Sequence, residues 1–149
     1  MPDIHHQVLI SASKSAIFYA ITQQKGLSKW WMADATAKPE PGFVNEFKFG
    51  DMVHNKFRIT KLEENKLVEW ECLNRDEWEG TFVRFELSDK GKFTALDFYH
   101  KNYRSDNSFY AGCNFHWARH LMMLKKFCET GDNQLDAKVE QKWIEEAHG

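Results

Sequence analysis

Two periodicities, one after the other, constrain this chain more than any other feature. Through most of the length, apolar residues recur at every second position. Ile4, His6, Val8 and Ile10 share one parity, and so do Phe43, Asn45, Phe47 and Phe49. The pattern returns in Val53–Ile59, Val68–Cys72, Thr81–Leu87 and Thr94–His100. A period of two places one set of side chains on one face of a strand. The opposite parity holds His54, Lys56, Arg58, Glu69, Glu71, Arg84 and Glu86. A sheet with one charged face is antiparallel and solvated on that side. Its apolar side must be covered by another layer.

The cover is encoded after the last strand. From Ser108 to Thr130 the spacing changes to that of a helix. Tyr110, Cys113, Trp117, Leu121, Leu124 and Cys128 fall on one arc, flanked by Phe109, His120 and Phe127. This predicts a long amphipathic helix ended by Gly131. The fold class expected is therefore α+β, a curved antiparallel sheet wrapped around a long C-terminal helix. Two short helices are expected after strand 1. Ser13 caps the first, Gly26 breaks it, and Leu27 to Trp31 makes a second helical turn. In the pair Trp30–Trp31, one ring is expected inward and the other half-exposed at a cavity mouth. A further C-terminal helix is expected from Leu135 to Ala147, with Leu135, Val139 and Trp143 on one face. A weaker stripe of Ala111, Phe115, Ala118 and Met122 on the back of the long helix offers that helix, or another subunit, a docking surface.

Composition narrows the class. The 149 residues suit one domain over 1–149. Charged residues make up 28% and the net charge is -2, which gives no general pull toward nucleic acid or anionic membrane. No run reaches the roughly 20 apolar residues of a membrane span. No leader pattern stands at the start. The three cysteines, Cys72, Cys113 and Cys128, are odd in number and widely spaced, so a disulfide framework is not expected and the setting expected is cytoplasmic. Aromatics reach 15%, with 12 Phe and 6 Trp, enough to fill a core or line a pocket with flat rings.

Four stretches resemble a known family. They are Val8–Ser13 with Ile17–Phe18, Leu27 with Trp30–Trp31, Gly91 with Thr94, Leu96, Phe98 and His100, and His116–Trp117 with Leu121, Leu124, Lys125 and Glu129–Gly131. Their order is similar to that of the START and birch-pollen-allergen (SRPBCC) superfamily, in the branch related to the C-terminal domain of the heat-shock-protein ATPase activator (Aha-type). The resemblance implies a helix-grip fold with a cavity between sheet and long helix. It implies no single activity. Superfamily members bind hydrophobic molecules, some act as cyclases or hydratases, and some of this branch are tied to chaperone or stress-response roles.

The inward parity and the helix arc give the candidate ligand-binding residues: Trp31, Phe47, Phe57, Trp70, Phe85, Leu96, Phe98, His100, Trp117, His120, Leu121 and Leu124. His6, Asn45, Asn55 and Thr94 lie on the same faces and need partners, because a buried unpaired polar group costs about 1–3 kcal/mol. Cys113, His116 and His120 share a helix face at zinc-compatible spacing, but three ligands on one helix rarely surround a metal without a fourth from elsewhere, for which His100 is the one candidate, so no metal and no cofactor is expected. An acid–base pair of His100 or His120 with Asp97 or Glu69 is opposed by parity, which points both acids outward. No Ser-His-Asp set, activated Cys or glycine-rich phosphate loop is present. The function expected is binding of a small hydrophobic molecule without defined chemistry. Two alternatives stay open: a protein-interaction module, with a second copy or a chaperone as partner, and an enzyme acting on a hydrophobic substrate through an inward His.

Overall fold

A computed structural model describes residues 1–148. Strand β1 (Ile4–Ile10) leads into helices α1 (Lys14–Thr22) and α2 (Gln24–Leu27). Six strands follow: β2 (Asp34–Thr36), β3 (Val44–Phe49), β4 (Val53–Glu63), β5 (Leu67–Cys72), β6 (Phe82–Lys90) and β7 (Phe93–Lys101). The long helix α3 (Ser108–Thr130) and helix α4 (Ala137–His148) complete the described residues. All seven strands form one antiparallel sheet in the order β1-β7-β6-β5-β4-β3-β2. The sheet curves around α3, as the alternation and the apolar arc predict.

Local signals account for most boundaries. The Ser13 side chain accepts from the Ala16 N–H at 3.1 Å and starts α1. Asn107 does the same for α3, accepting from Tyr110 N–H at 3.0 Å. Gly131 ends α3 at φ +80, where a side chain would be strained. Strand parity follows the sequence: Phe47, Phe57, Trp70, Phe85 and Phe98 are fully buried.

Four expectations need correction. Gly26 does not break a helix; it lies inside α2. A Cβ there would sit 2.6 Å from the Tyr19 carbonyl oxygen and 2.7 Å from Ala20 Cα, so the glycine lets α2 lie directly against α1. The turn from Leu27 to Trp31 does form, with Trp31 N–H donating to Leu27 O at 3.1 Å. Neither tryptophan of the pair is half-exposed: Trp30 and Trp31 are both buried. Trp30 Nε1–H donates to Ala20 O at 2.8 Å, which satisfies its polar tip inside the core. Strand β2, three residues long, pairs with β3 where no strand was expected. In α4 the buried residues are Glu140 and Ile144, while Val139 is exposed. The face was misread because a charged residue finds its partners on α3.

The centre of the grip is a cluster of rings. Trp31 stacks on Trp70 at 5.8 Å and meets Phe47 at 4.1 Å and Trp117 at 5.2 Å. Phe98 packs on Trp117 at 4.5 Å. Such pairs contribute about 0.5–1.5 kcal/mol each beyond their burial.

Strand β1 is an edge of the sheet, and α3 caps it. Lys125 Nζ donates to Leu9 O at 2.6 Å. The Ser11 N–H donates to Glu129 at 2.8 Å, and Tyr110 Oη–H donates to Asp3 O at 2.9 Å.

Candidate functional site

The candidate residues separate into two groups. Phe47, Phe57, Trp70, Phe85, Leu96, Phe98, Leu121 and Leu124 lie in the closed core, each exposed by 1% or less. Trp31, Trp117 and His120 reach the wall of a cleft of about 350 Å³. That volume stands at the small end of ligand pockets. The cleft opens beside the core, where α3 meets α4 and the turn before β6. Trp78 and Phe109 add two more rings, and Trp143 and Ile144 come from α4.

His100 lies behind this wall, fully buried, in a closed hydrogen-bond network. Thr81 Oγ1–H donates to Trp78 O at 2.6 Å, so Thr81 can only accept from His100 Nε2 at 2.8 Å. The ring is therefore the Nε2–H tautomer. Its Nδ1 faces two donors, Trp117 Nε1–H at 3.0 Å and Tyr103 Oη–H at 2.9 Å. Tyr103 Oη in turn accepts from Trp78 Nε1–H at 3.1 Å. No carboxylate joins this network, and its donors leave Nδ1 no free lone pair. Burial lowers the imidazole from 6.5 to about 3.

A stability consequence follows. An unfolded His takes up a proton near pH 6.5 that the folded ring refuses. Stability therefore declines as pH falls below 6.5 and stops declining, for this group, near 3. Between about pH 7 and about pH 5, His100 alone removes roughly 2 kcal/mol. Urea unfolding at both values measures the loss, and an imidazole titrating above about pH 5 in NMR contradicts the network.

The polar wall of the cleft is built by α3 and α4. The His120 Nδ1–H donates to His116 O at 2.8 Å. Its Nε2 lies 3.5 Å from Glu140 Oε2 and 3.5 Å from Arg119 Nη2. Arg119 Nη1 donates to Glu140 Oε1 at 3.0 Å, and its guanidinium covers the Trp143 ring at 4.4 Å. Burial alone raises the Glu140 carboxyl, but the bonds from His120 and Arg119 outweigh it and hold the group below the usual carboxylate range. His116 is half-buried, edge-on to Trp143 at 5.4 Å. Burial and the neighbouring Arg119 and His120 lower its pKa.

The other expected groups fall as follows. Asp97 points outward to His5 at 3.0 Å, and Glu69 to Arg84 at 3.1 Å, as parity requires. Asn55 accepts from Asn74 at 2.8 Å, and Thr94 donates to Ala12 O at 2.8 Å. His6 Nε2 and Asn45 Nδ2 are buried without a partner. Among the described residues no three His, Cys, Asp or Glu side chains group closely enough to hold a metal ion. No helix among them is long and apolar enough to cross a membrane. Glu140, Arg119 and Trp78 were missed by sequence reasoning, whereas His116 was singled out on one helix face with Cys113 and His120. Only Trp78 carried a signal, as a tryptophan in a polar loop.

A seven-stranded antiparallel sheet gripping one long helix, with a cleft at the end of that grip, defines the helix-grip class. Residues 11–129 match the family described as Activator of Hsp90 ATPase homolog 1-like protein, and the chain belongs to that family. The Aha1 dimer from Colwellia psychrerythraea, solved in solution, is 34% identical with a TM-score of 0.82, over 88% of this chain and 98% of that one. The fold also matches protein MLL2253 from Mesorhizobium loti, 20% identical, TM-score 0.74, over 84% and 95% of the two chains. Protein EF2215 from Enterococcus faecalis matches at 19% identity, TM-score 0.72, over 97% and 83%. A search of curated proteins returns no match.

Proposed function

We propose that this chain, working as one cytoplasmic domain, binds a small and largely apolar molecule in the cleft between α3, α4 and the turn carrying Trp78. One observation carries the reading. A concave site walled by Trp31, Trp78, Phe109 and Trp117 also gathers His116, His120, Glu140 and Asn55 at its surface. Apolar walls with a few convergent polar groups are what ligand sites share. The core rings from Phe47 to Phe98 act beneath the site, as its floor support, and His100 fixes Trp117 and Trp78 in place. Chemistry by His100 is disfavoured by its closed network.

Native mass spectrometry of the protein from its own host tests this. An added mass that disappears on denaturation, and that is diminished in Trp78→Ala, is expected. A bare mass in the gentlest conditions, together with no response of cleft resonances to any apolar probe, overturns the reading.

A second reading has its own support. Phe115, Met122 and Val139 are exposed by 60%, 56% and 45% on neighbouring α3 and α4. The Colwellia psychrerythraea relative is a dimer, and the family is described by a chaperone ATPase activator. An interaction module would use this strip for a second copy or for a chaperone. A mass doubled in the same native spectrum, and restored to one chain by Phe115→Lys with Met122→Lys, would favour it.

A further inference from the structure

Two of the four charged side chains of the cleft, Arg119 and Glu140, are matched to one another. Arg119 is held by Glu140 at 3.0 Å and lies over the Trp143 ring. Both oxygens of Asp76 are taken, one by Trp78 N–H at 2.8 Å and the other by Asn74 Nδ2 at 3.2 Å. Glu146 stands exposed at the rim. An entering anion therefore meets no free cation and faces three carboxylates. An entering cation meets Arg119, with Glu140 and Asp76 already occupied, and the remaining carboxylate, Glu146, lies at the exposed rim where solvent screens it. Bringing an unmatched charge into such a site costs much more than bringing a neutral group.

His116 differs from its neighbours. Its ring reaches the cleft, yet among the described residues neither ring nitrogen bonds to a protein group. As a neutral imidazole it offers one donor and one acceptor. Burial and the adjacent Arg119 and His120 favour that neutral form. A hydroxyl, which both donates and accepts, is its natural complement. The walls around it are flat rings.

Resting on the proposed binding role of the cleft, we infer that it selects uncharged, flat molecules bearing a hydroxyl or similar oxygen, that His116 is the group that reads this oxygen, and that α4 excludes anions by matching Arg119 with Glu140. Helix α4 lies beyond the residues matched by the family, 11–129. The selection against anions thus comes from a helix outside the matched family region.

The test uses the full chain and four probes followed by NMR titration: 2-naphthol, naphthalene, 2-naphthoate and 2-naphthylmethylammonium. The expected order places 2-naphthol at least about tenfold tighter than either charged probe. In His116→Phe the advantage of 2-naphthol over naphthalene disappears. In Glu140→Gln, which keeps an acceptor for Arg119 to hold α4 and removes only the charge, 2-naphthoate gains about tenfold relative to 2-naphthol. Charged probes binding as tightly as 2-naphthol overturn the inference, and so does an undiminished 2-naphthol preference in His116→Phe. An unchanged 2-naphthoate affinity in Glu140→Gln overturns the role of α4. Naphthalene binding without any discrimination sinks this inference alone. Failure of all four probes to bind sinks the cleft reading with it.

Discussion

Trp117→Ala lowers the stability of the fold by about 4 kcal/mol, within the range for truncating a packed tryptophan. The ring is 4% exposed and packs against Phe98, Trp31 and the edge of His100. Its loss leaves a cavity at the centre of the aromatic cluster, where neighbours from β7, α3 and the segment after α2 cannot all collapse inward. It also removes the Nε1–H donor to His100 Nδ1. Trp117→Phe separates the two effects, since it retains a ring and loses mainly the hydrogen bond, about 1 kcal/mol. Urea unfolding measures both. A change under about 1 kcal/mol for Trp117→Ala contradicts the packing assigned to this ring. Domains of this size have only about 5–15 kcal/mol in total, so the alanine variant sits near the limit of folding.

Glu140→Ala has its main effect on one element. It leaves Arg119 facing Trp143 without a counter-charge, and breaking a buried ion pair from one side costs about 3–5 kcal/mol. Helix α4 holds to α3 mainly through Glu140 and Trp143 and buries Ile144 in the core, and a free helix of 12 residues is marginal in water. The variant therefore releases α4 while the sheet and α3 stay folded. Limited proteolysis between residues 131 and 136 is expected to accelerate about a hundredfold, in line with a loss of roughly 3 kcal/mol. Unchanged cleavage sinks the assignment of Glu140 as the latch. The same pair sets a pH dependence. The folded carboxyl titrates below its ordinary 4.5, so its contribution is complete above that value and is lost as pH falls through the lowered one.

The sequence was most legible where a period repeats. Six of the seven strands carry three or more alternating inward residues, so their parity and pairing could be read directly. Strand β2 could not be read, because three residues with Ala35 alone inward show no period. Gly26 was misjudged for a different reason. Propensity marks glycine as a helix breaker, whereas the approach of Tyr19 and Ala20 is a tertiary fact that overrides it. The cleft was the least legible part. It joins a loop, two helices and the start of β4, and its polar wall rests on Glu140 meeting Arg119 across 21 positions of sequence. Periodicity along one helix cannot foresee such a meeting. The ring-lined core, by contrast, was visible as inward parity, and that visibility drew attention away from the cleft at its end.

The capping of β1 bears on how copies of this chain can meet. An uncovered outer strand offers a row of N–H and C=O groups that recruits further strands, the usual route to fibrils. Here Lys125, Glu129 and Tyr110 already occupy groups at Leu9, Ser11 and Asp3. Adding a strand at that side requires breaking three bonds to α3 and leaving a lysine and a glutamate facing the newcomer. The opposite border is only three residues long at β2, too short to template a ribbon. Association by extending the sheet is thus hindered at both borders, by the brevity of β2 and by the α3 side chains at the two ends of β1. The grip helix thus guards the ends of the edge strand as well as filling the sheet.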